Sequence, residues 1–234
     1  KGIKFPLYAA AAVLLFRLFS AADPWDEAGR ILAGIREPEF PQHSINVREQ
    51  GAVGDGLHND LPALQQAINA CSAAGGGTVN VSAGVYWLEG PLQLKSHVNL
   101  LLEKGSTLRF SAHPPDFLPA VFTRWEGTEM FGYSPFIYAN GCTNLAITGQ
   151  GTIDGNVAAT FATWRKLQKT DQNALRTMGD DEVPLKDRVF GEGHWLRPSF
   201  IQFINCSRIK IEGVRIVESP FWIIHPVYSS HITI

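Results

Sequence analysis

An internal repeat limits the folds that are open to this chain of 234 residues. Segment 199–211 aligns without gaps with 222–234, which begins 23 residues later, and with 135–147, which begins 64 residues earlier. A coil of about 20 to 30 residues cannot bury its hydrophobic face alone, so such repeats are typical of solenoids of stacked parallel strands. Isoleucine or leucine coincides at three positions in all three copies: Ile137, Ile201 and Ile224; Leu145, Ile209 and Ile232; and Ile147, Ile211 and Ile234.

The alternation of residue types within each copy supports this interpretation. Ile209 and Ile211 alternate with Arg208, Lys210 and Glu212. Because successive side chains of a strand point to opposite faces, the isoleucines are expected inside the coil and the charged residues outside. An antiparallel sandwich is the alternative, since it also contains many short strands. The in-register repeat favours an all-β fold of stacked parallel coils.

Length and charge narrow the classes of partner. A chain of 234 residues can bury a sizeable core as one domain. The net charge of -2 leaves no basic stripe, so no nucleic acid is expected as a partner. The sequence contains no clean apolar stretch of about 18 residues, so no ordinary membrane span is expected.

The first 22 residues have the pattern of a secretory signal peptide. Lys1 and Lys4 precede an apolar run over 5–19, and small residues occupy 20–22. Such a segment is removed on export, so we expect a secreted or periplasmic protein without a membrane anchor after cleavage. A buried or amphipathic helix is the alternative, because Arg17 interrupts the apolar run.

Residues 23–44 are predicted to be a lead or linker with one short helix at 26–34, and residues 45–234 to form a single domain. A second helical pattern over 63–71 follows the candidate capping residues Asn59 and Asp60 and precedes Gly75, a suitable left-handed C-terminal residue. The first coil of a solenoid must be covered to keep water from its core. We therefore expect this helix to cap the N-terminal end of the domain.

Three stretches carry a resemblance to a known family. The run INVREQGAVGDGLHNDLPALQQAINACSAAGGGTVNVSAGVYWLEGPLQL resembles the N-terminal signature of the pectate-lyase-like superfamily of right-handed parallel β-helices. NLAITGQGTIDGN and RPSFIQFINCSRIKIEGVRIVESPFWIIHPV resemble glycoside hydrolase family 28, the polygalacturonases and their relatives, in its bacterial branch. The resemblance implies a right-handed parallel β-helix that hydrolyses α-1,4-linked galacturonic acid in pectin, without a metal or other cofactor and with inversion at the sugar carbon.

The sequence also departs from that family. Its catalytic Asp residues lie in motifs that residues 1–234 do not contain, so we assign no catalytic residue. The resemblance then implies an N-terminal part of a longer enzyme, incomplete at the C-terminus and inactive as a fragment. Gly179-Asp180-Asp181 superficially matches a family motif. Because an inverting hydrolase needs two carboxylates about 6.5 to 9.5 Å apart, we interpret this adjacent pair in a polar segment as a solvated turn.

An insertion at 156–195 separates two of the coils. A helix is expected at 161–168, with an extension to 175 as the alternative, and insertions of this kind often wall a binding groove. The segment is basic, as a site for polyanionic pectate would be, although a solvated helix face is the alternative. Its basic residues are Arg165, Lys166, Lys169, Arg176, Lys186 and Arg188.

The register of the repeat predicts a column of outward-facing side chains. Tyr138, Gln202 and His225 each follow one of the aligned isoleucines and should point outward and stack about 4.8 Å apart, where they are predicted to bind substrate. The resemblance implies that the first Asp-bearing strand of the family comes next, which would place Trp222 and His225 on the groove floor. We predict that Trp222 packs on a sugar face and that His225 binds the polymer or tunes a catalytic Asp. The alternatives are a packing role for Trp222 and a plain surface position for His225. Arg197 and His194, at the groove rim, complete the predicted substrate-binding residues, although both can equally be structural.

The three cysteines give no metal signature. Cys142 and Cys206 share a register position, and Cys71 lies in the predicted capping helix. In-register side chains point the same way, which is poor disulfide geometry, so free buried thiols are expected rather than a bridge. No Cys or His spacing indicates zinc.

Two other functions remain open at this level. A polysaccharide lyase on the same scaffold would release unsaturated products that absorb ultraviolet light. A non-catalytic β-helix, such as a carbohydrate-binding adhesin, would bind without cleaving. For the hydrolase, the expected partner is a pectic polysaccharide, either galacturonan or rhamnogalacturonan, and the expected state is a monomer.

Overall fold

The computed structural model describes residues 24–234 of the chain. The predicted signal peptide at 1–22 lies outside the described residues. The chain divides into two compact units, Lys1–Arg36 and Glu37–Ile234. In the first, helix α1 (Pro24–Gly34) confirms the prediction of a short helix at 26–34. None of the helices within 24–234 is long and apolar enough to span a membrane.

The second unit is built from short strands in three parallel sheets. The first sheet contains six strands, the second five and the third four, and in each sheet the strands lie side by side in the order in which they follow along the chain. The strands of the first sheet are β1 (Ser44–Asn46), β3 (Gly77–Val81), β6 (Val98–Leu102), β11 (Thr143–Gly149), β15 (Ser207–Glu212) and β18 (Ser230–Thr233). Those of the second are β2 (Asp55–Asn59), β4 (Gly84–Leu88), β7 (Ser106–Phe110), β12 (Thr152–Asp154) and β16 (Arg215–Val217). Those of the third are β5 (Leu92–Gln93), β10 (Ile137–Asn140), β14 (Ile201–Ile204) and β17 (Ile224–Val227).

From β3 onward, each coil visits the first, second and third sheets in turn before it returns one strand further along, whereas the first coil has strands in the first and second sheets only. The chain is therefore a right-handed parallel β-helix, as predicted. Ile137 pairs with Ile201 and Ile201 with Ile224, while Leu145, Ile209 and Ile232 pair in the same way. The sequence repeat thus corresponds to the stacking register.

The corners of the coils repeat as well. On each side of the turn from the third sheet to the first, one residue has left-handed backbone geometry in three successive coils. These are Gly141, Asn205 and Tyr228, with φ of 67°, 53° and 52°, and Asn144, Arg208 and His231, with φ of 58°, 53° and 54°. Left-handed geometry favours Gly and Asn, yet other residue types occupy half of these corners.

Helix α2 (Leu61–Ala73) caps the N-terminal end, as predicted. Its apolar face, which includes Leu64 and Ile68, is buried in the main core. Asp60 is fully buried at the start of the helix, where its carboxylate accepts hydrogen bonds from the backbone N–H groups of Val53 and Gly54 at 2.6 and 3.0 Å. Asp60 therefore fixes the preceding loop, while Asn59 Oδ1 accepts from the backbone N–H of Leu61 and acts as the cap.

Part of the predicted linker belongs to the β-helix unit. Glu39 forms hydrogen bonds in both directions with the Asn144 side chain. Glu37 forms an ion pair with Lys210 at 2.7 Å. Residues 37–43 therefore lie on the outside of the first sheet instead of forming a free lead.

A column of aromatic rings fills the interior beneath the third sheet. Phe136 contacts Phe200 with ring centroids 5.2 Å apart and Phe110 at 5.3 Å. Phe117 and Phe161, from segments outside the coils, close the cluster at 4.2 and 5.5 Å from Phe136. The coils and their insertions therefore share one core.

Two insertions form an outer layer against the third sheet. The first contains the antiparallel hairpin β8 (Val121–Trp125) and β9 (Thr128–Gly132). The second contains helix α3 (Lys169–Asp180), which packs on β9, and strand β13 (Val189–Phe190), which pairs with β9. The helix expected at 161–168 begins at the predicted residue but is a 3-10 helix over Phe161–Lys166, and the α-helix follows it as a separate element. Phe161 and Trp164 bury this shorter turn against the core, which overrides the local helical pattern.

Candidate functional site

The predicted column of side chains exists on the third sheet. Tyr138 pairs with Gln202, and Gln202 pairs with His225. The burial of its members differs from the prediction, however. Tyr138 is 6% exposed and Gln202 is fully buried, whereas His225 is half-buried.

The hairpin β8–β9 explains this burial. The Tyr138 hydroxyl donates to the Phe122 carbonyl at 2.9 Å, and the Thr123 hydroxyl donates to Gln202 Oε1 at 2.6 Å. Both column residues are therefore covered by strand β8. Tyr138 and Gln202 lie in the predicted outer column, but their burial argues against the predicted contact with substrate. Alternation along a strand cannot show whether a second layer covers its outer face.

Sequence reasoning missed this hairpin, although a signal for it was present. Glu126 and Gly127 join the two strands and both have positive φ, at 41° and 99°. Two such central residues define a type I′ turn, the turn whose twist suits a two-residue hairpin. The flanking segments 121–125 and 128–132 have the length of short strands and contain several β-branched and aromatic residues.

A polar network connects the hairpin to His225. Gln202 Nε2 lies 2.9 Å from His225 Nδ1, and Ser199 Oγ lies 3.0 Å from the same nitrogen. Thr123 holds the other end of the Gln202 amide. Burial, and then the positive charge of Arg124, lower the pKa of His225. His225 is therefore a neutral imidazole at neutral pH.

Trp222 and His225 form an exposed ring surface beside this network. Trp222 is 50% exposed and stacks on His225, with ring centroids 5.8 Å apart and an interplanar angle of 24°. Phe221 contacts Trp222 edge-on at 5.6 Å and stacks on Trp125 at 5.1 Å. An open depression of about 510 Å³ is lined by Phe221, Trp222, Ile223 and Ile224.

Arg197 lies at one side of these rings. Its guanidinium carbon is 4.7 Å from the centre of the Phe221 ring. Nε donates to Gln168 Oε1 at 2.8 Å and Nη1 donates to the Pro220 carbonyl at 3.0 Å. Burial, followed by the like charge of Arg165, lowers the pKa of Arg197. A half-buried guanidinium without a carboxylate partner among residues 24–234 is suited to an incoming anion.

Arg124, on strand β8, lies close enough to His225 for its positive charge to act on that imidazole. Its guanidinium is 5.4 Å from the centre of the Tyr228 ring, and Nε donates to the Gly127 carbonyl at 3.0 Å. We call the set Arg124, Arg197, Phe221, Trp222 and His225 the Trp222 surface. It combines apolar ring faces with two guanidinium groups.

His194 is not part of the Trp222 surface. Its Nδ1 lies 2.9 Å from a carboxylate oxygen of Asp171, whose other oxygen accepts from the backbone N–H of Trp195 at 2.6 Å. Its ring contacts Phe190 at 5.0 Å. His194 therefore fastens the end of the insertion to α3, and the structural role weighed for it from the sequence fits this position better than the groove rim.

The acidic pair in the insertion is exposed, as expected. Asp180 is the last residue of α3 and Asp181 follows it on the surface. Among residues 24–234, no group of three or more His, Cys, Asp or Glu side chains is placed to hold a metal ion. All three cysteines are free thiols; Cys71 and Cys206 are buried, as expected, whereas Cys142 is partly exposed.

Comparisons with known proteins agree with the fold. Residues 44–106 match the family model described as rhamnogalacturonase A/epimerase, pectate lyase-like. The endo-polygalacturonase of Pectobacterium carotovorum subsp. carotovorum is 41% identical over 199 residues, which cover 83% of this chain and 44% of that protein. The endo-polygalacturonase of Pectobacterium parmentieri is 33% identical over 219 residues, which cover 92% of this chain and 48% of that protein.

A solved structure shows the same architecture. The hyperthermoactive exopolygalacturonase from Thermotoga maritima has a TM-score of 0.82 and 39% identity, over 87% of this chain and 48% of that one. The chain thus spans less than half the length of each of these three polygalacturonases. The stacked coils, the capping helix and these sequence and structure matches place the chain in the pectate-lyase-like superfamily. Within that superfamily, the matches support the polygalacturonase-like proteins of glycoside hydrolase family 28 as the relatives of this chain.

Proposed function

We propose that this protein hydrolyses α-1,4-galacturonosyl linkages in pectic polysaccharide, with inversion at the sugar carbon. Its similarity to the two endo-polygalacturonases and the exopolygalacturonase supports the reaction class. We also propose that it acts as a secreted or periplasmic monomer, on the basis of the N-terminal sequence pattern and of the single repeat domain.

The Trp222 surface is the observation that carries this proposal. A sugar ring offers an apolar face that stacks on an aromatic ring, and each galacturonic acid unit adds a carboxylate. Trp222 supplies the ring, while Arg124 and Arg197 supply cations that form no ion pair within residues 24–234. A neutral polysaccharide would not need these cations.

The described chain supplies binding rather than the catalytic pair. No carboxylate contacts Trp222 or His225 among residues 24–234, and the catalytic motifs of the family are not in the sequence. We propose that catalytic Asp residues outside these 234 residues complete the site, and that the 234-residue chain alone binds galacturonan without cleaving it.

The binding test uses the purified 234-residue chain in affinity electrophoresis with polygalacturonate and with a neutral glucan. Retardation by polygalacturonate that weakens with added salt is expected, because carboxylate–guanidinium contacts are screened by salt. Equal retardation of the chain by polygalacturonate and by the neutral glucan would contradict the proposal.

The reaction test uses the whole gene product with polygalacturonate as the substrate. Release of reducing ends, with inversion followed by NMR of the first-formed anomer, is the expected result. Unsaturated products that absorb ultraviolet light would identify a lyase instead. Tight binding without any cleavage would identify a non-catalytic binding protein.

A further inference from the structure

Gln202 is buried directly beside His225, where its side-chain amide can determine which ring nitrogen of His225 carries the proton. Its side chain is fully buried, and both the oxygen and the nitrogen of its amide form hydrogen bonds. One end meets the Thr123 hydroxyl at 2.6 Å and the other meets His225 Nδ1 at 2.9 Å. The amide thus links the covering hairpin to the imidazole of the Trp222 surface.

The two distances indicate which end of the amide is which. Hydrogen bonds between two oxygens span about 2.5 to 3.0 Å, whereas those from nitrogen to oxygen span about 2.7 to 3.2 Å. The contact of 2.6 Å with Thr123 therefore fits Oε1, and the amide nitrogen faces His225. An amide NH₂ group only donates hydrogen bonds.

This orientation determines where the imidazole carries its proton. Because Gln202 donates to Nδ1, that nitrogen must accept and cannot carry a proton. The Ser199 hydroxyl, at 3.0 Å from the same atom, can also donate to it. The neutral ring then carries its proton on Nε2, which forms no hydrogen bond with any residue from 24 to 234.

The surroundings also disfavour a second proton on the ring. A protonated Nδ1 would direct an N–H group at the buried amide N–H group of Gln202. Arg124, on the covering strand β8, is the charged group that acts on His225, and its positive charge opposes a cation there. Stacking on Trp222 holds the ring plane.

We propose that Gln202 is a positioning residue that fixes the Nε2–H tautomer of His225, so that His225 donates a hydrogen bond to a hydroxyl or carboxylate oxygen of a bound acidic polysaccharide. This inference rests on the proposed function for its ligand. The tautomer itself depends only on Thr123, Gln202 and Ser199.

The tautomer can be measured directly by NMR of the imidazole nitrogens in the ¹⁵N-labelled chain. The wild type is expected to show the Nε2–H form. Gln202→Glu gives Nδ1–H a carboxylate acceptor, so the pKa of His225 should rise by at least about one unit, a tenfold increase in proton affinity. Gln93→Glu is the matched control, because Gln93 pairs with Tyr138 in the same column, two strands beyond Gln202, and should shift this pKa much less.

Thr123→Val provides a second route should Gln202→Glu fail to fold. It removes the hydroxyl that holds Oε1, so the amide can rotate and an Nδ1–H population should appear. An Nδ1–H tautomer in the wild type would overturn the proposal. So would unchanged His225 signals in both Gln202→Glu and Thr123→Val.

The donor role is tested by two substitutions of His225 itself. His225→Gln places an amide N–H near the position of Nε2, whereas the shorter His225→Asn places it near Nδ1. Polygalacturonate affinity should stay within about threefold for Gln and fall by about tenfold for Asn, the loss expected for one hydrogen bond to a charged or polar group. Equal affinities of the two variants would overturn the donor role.

The same measurements separate this inference from the proposed function. If the wild type has the Nε2–H tautomer but does not bind polygalacturonate, the proposed function fails and the control of the tautomer by Gln202 stands. If it binds polygalacturonate with the other tautomer, the proposed function stands and the positioning role fails.

Discussion

Trp222 is the residue on which the proposed binding depends most directly. Half of its side chain is exposed, so its removal should change the surface more than the core. Trp222→Ala is expected to weaken polygalacturonate binding about tenfold, or about 1.4 kcal/mol, through the loss of ring stacking. Affinity electrophoresis measures the change.

A second exposed tryptophan offers the control for this prediction. Trp195 is 41% exposed and contacts Trp164 at 5.3 Å, and it is not a member of the Trp222 surface. Trp195→Ala should leave the affinity unchanged within about twofold. A loss of equal size in both variants would indicate a general effect on the fold.

Cys142 and Cys206 show how stacking of equivalent residues in adjacent coils can change the pKa of a side chain. The two thiols occupy the same position of adjacent coils, and the backbone N–H of Cys142 lies 3.4 Å from Cys206 Sγ. A hydrogen bond from the Cys206 thiol lowers the pKa of Cys142 to about 6, while the same contact and burial raise the pKa of Cys206.

The reactivity of Cys142 should therefore depend on pH in an unusual range. The thiolate is the reactive form, so the alkylation rate of Cys142 with iodoacetamide should rise through a midpoint of about 6 and then level off. Cys206→Ala removes the donor and should move the midpoint toward the ordinary value of about 8.5. Mass spectrometry of the alkylated chain measures the rate, and an unchanged midpoint in the variant would refute the role of Cys206.

At the scale of the strand, close contact between coils constrains single positions. Gly149 has φ of 114°, and a Cβ atom there would lie 2.0 Å from the Leu102 carbonyl oxygen of the preceding coil. Gly141 has φ of 67°, but a Cβ atom there would meet nothing within 4 Å. A comparison of substitutions at the two glycines can therefore separate the cost of backbone strain from the cost of steric overlap.

Alanine substitutions should reveal that difference. Gly141→Ala is expected to cost about 1 kcal/mol of unfolding free energy through strain alone. Gly149→Ala should cost roughly 3 kcal/mol, because overlap with the neighbouring coil adds to the strain. Urea unfolding measures both, and equal losses would mean that the coils can separate at Gly149 without penalty.

The repeat made the strands predictable, whereas the layer outside them was not. The register of Ile137, Ile201 and Ile224 follows from the spacing, because a one-residue shift would turn every apolar side chain outward. The burial of Gln202 depends instead on Thr123, which reaches it from a distant segment of the chain. Periodicity within a strand contains no information about such a partner.

The candidate site was predicted in part for the same reason. Register places Trp222 and His225 on the outer face of the coils, and Arg197 precedes the first of these strands in the chain. Their role in binding stays a prediction that also rests on the family resemblance. Arg124 was missed, because nothing in the local sequence of β8 connects it with His225. Its proximity appears only once the hairpin is folded against the third sheet.

For the whole molecule, the aromatic column is the part of the core that joins coils to insertions. Phe136 contacts four other phenylalanine rings and is fully buried. Phe136→Ala should cost about 3 to 5 kcal/mol through lost burial and the resulting cavity. Urea unfolding followed by tryptophan fluorescence measures the loss.

Phe131 provides the comparison, because it lies on the covering hairpin and is only partly buried. Phe131→Ala should cost clearly less than Phe136→Ala, since it leaves the coils in contact. A similar cost for both would mean that the hairpin contributes as much to the stability of the domain as the interior column does.

The left-handed corners have a consequence for design. Main-chain geometry recurs at Gly141, Asn205 and Tyr228, while the side chains at these bends differ completely. The tube therefore constrains the path of the backbone and the residues that face inward, and leaves much of the outer wall unconstrained. Outward-facing residues can therefore be substituted one coil at a time, to design binding surfaces for other charged polymers, while the hydrophobic interior is left unchanged.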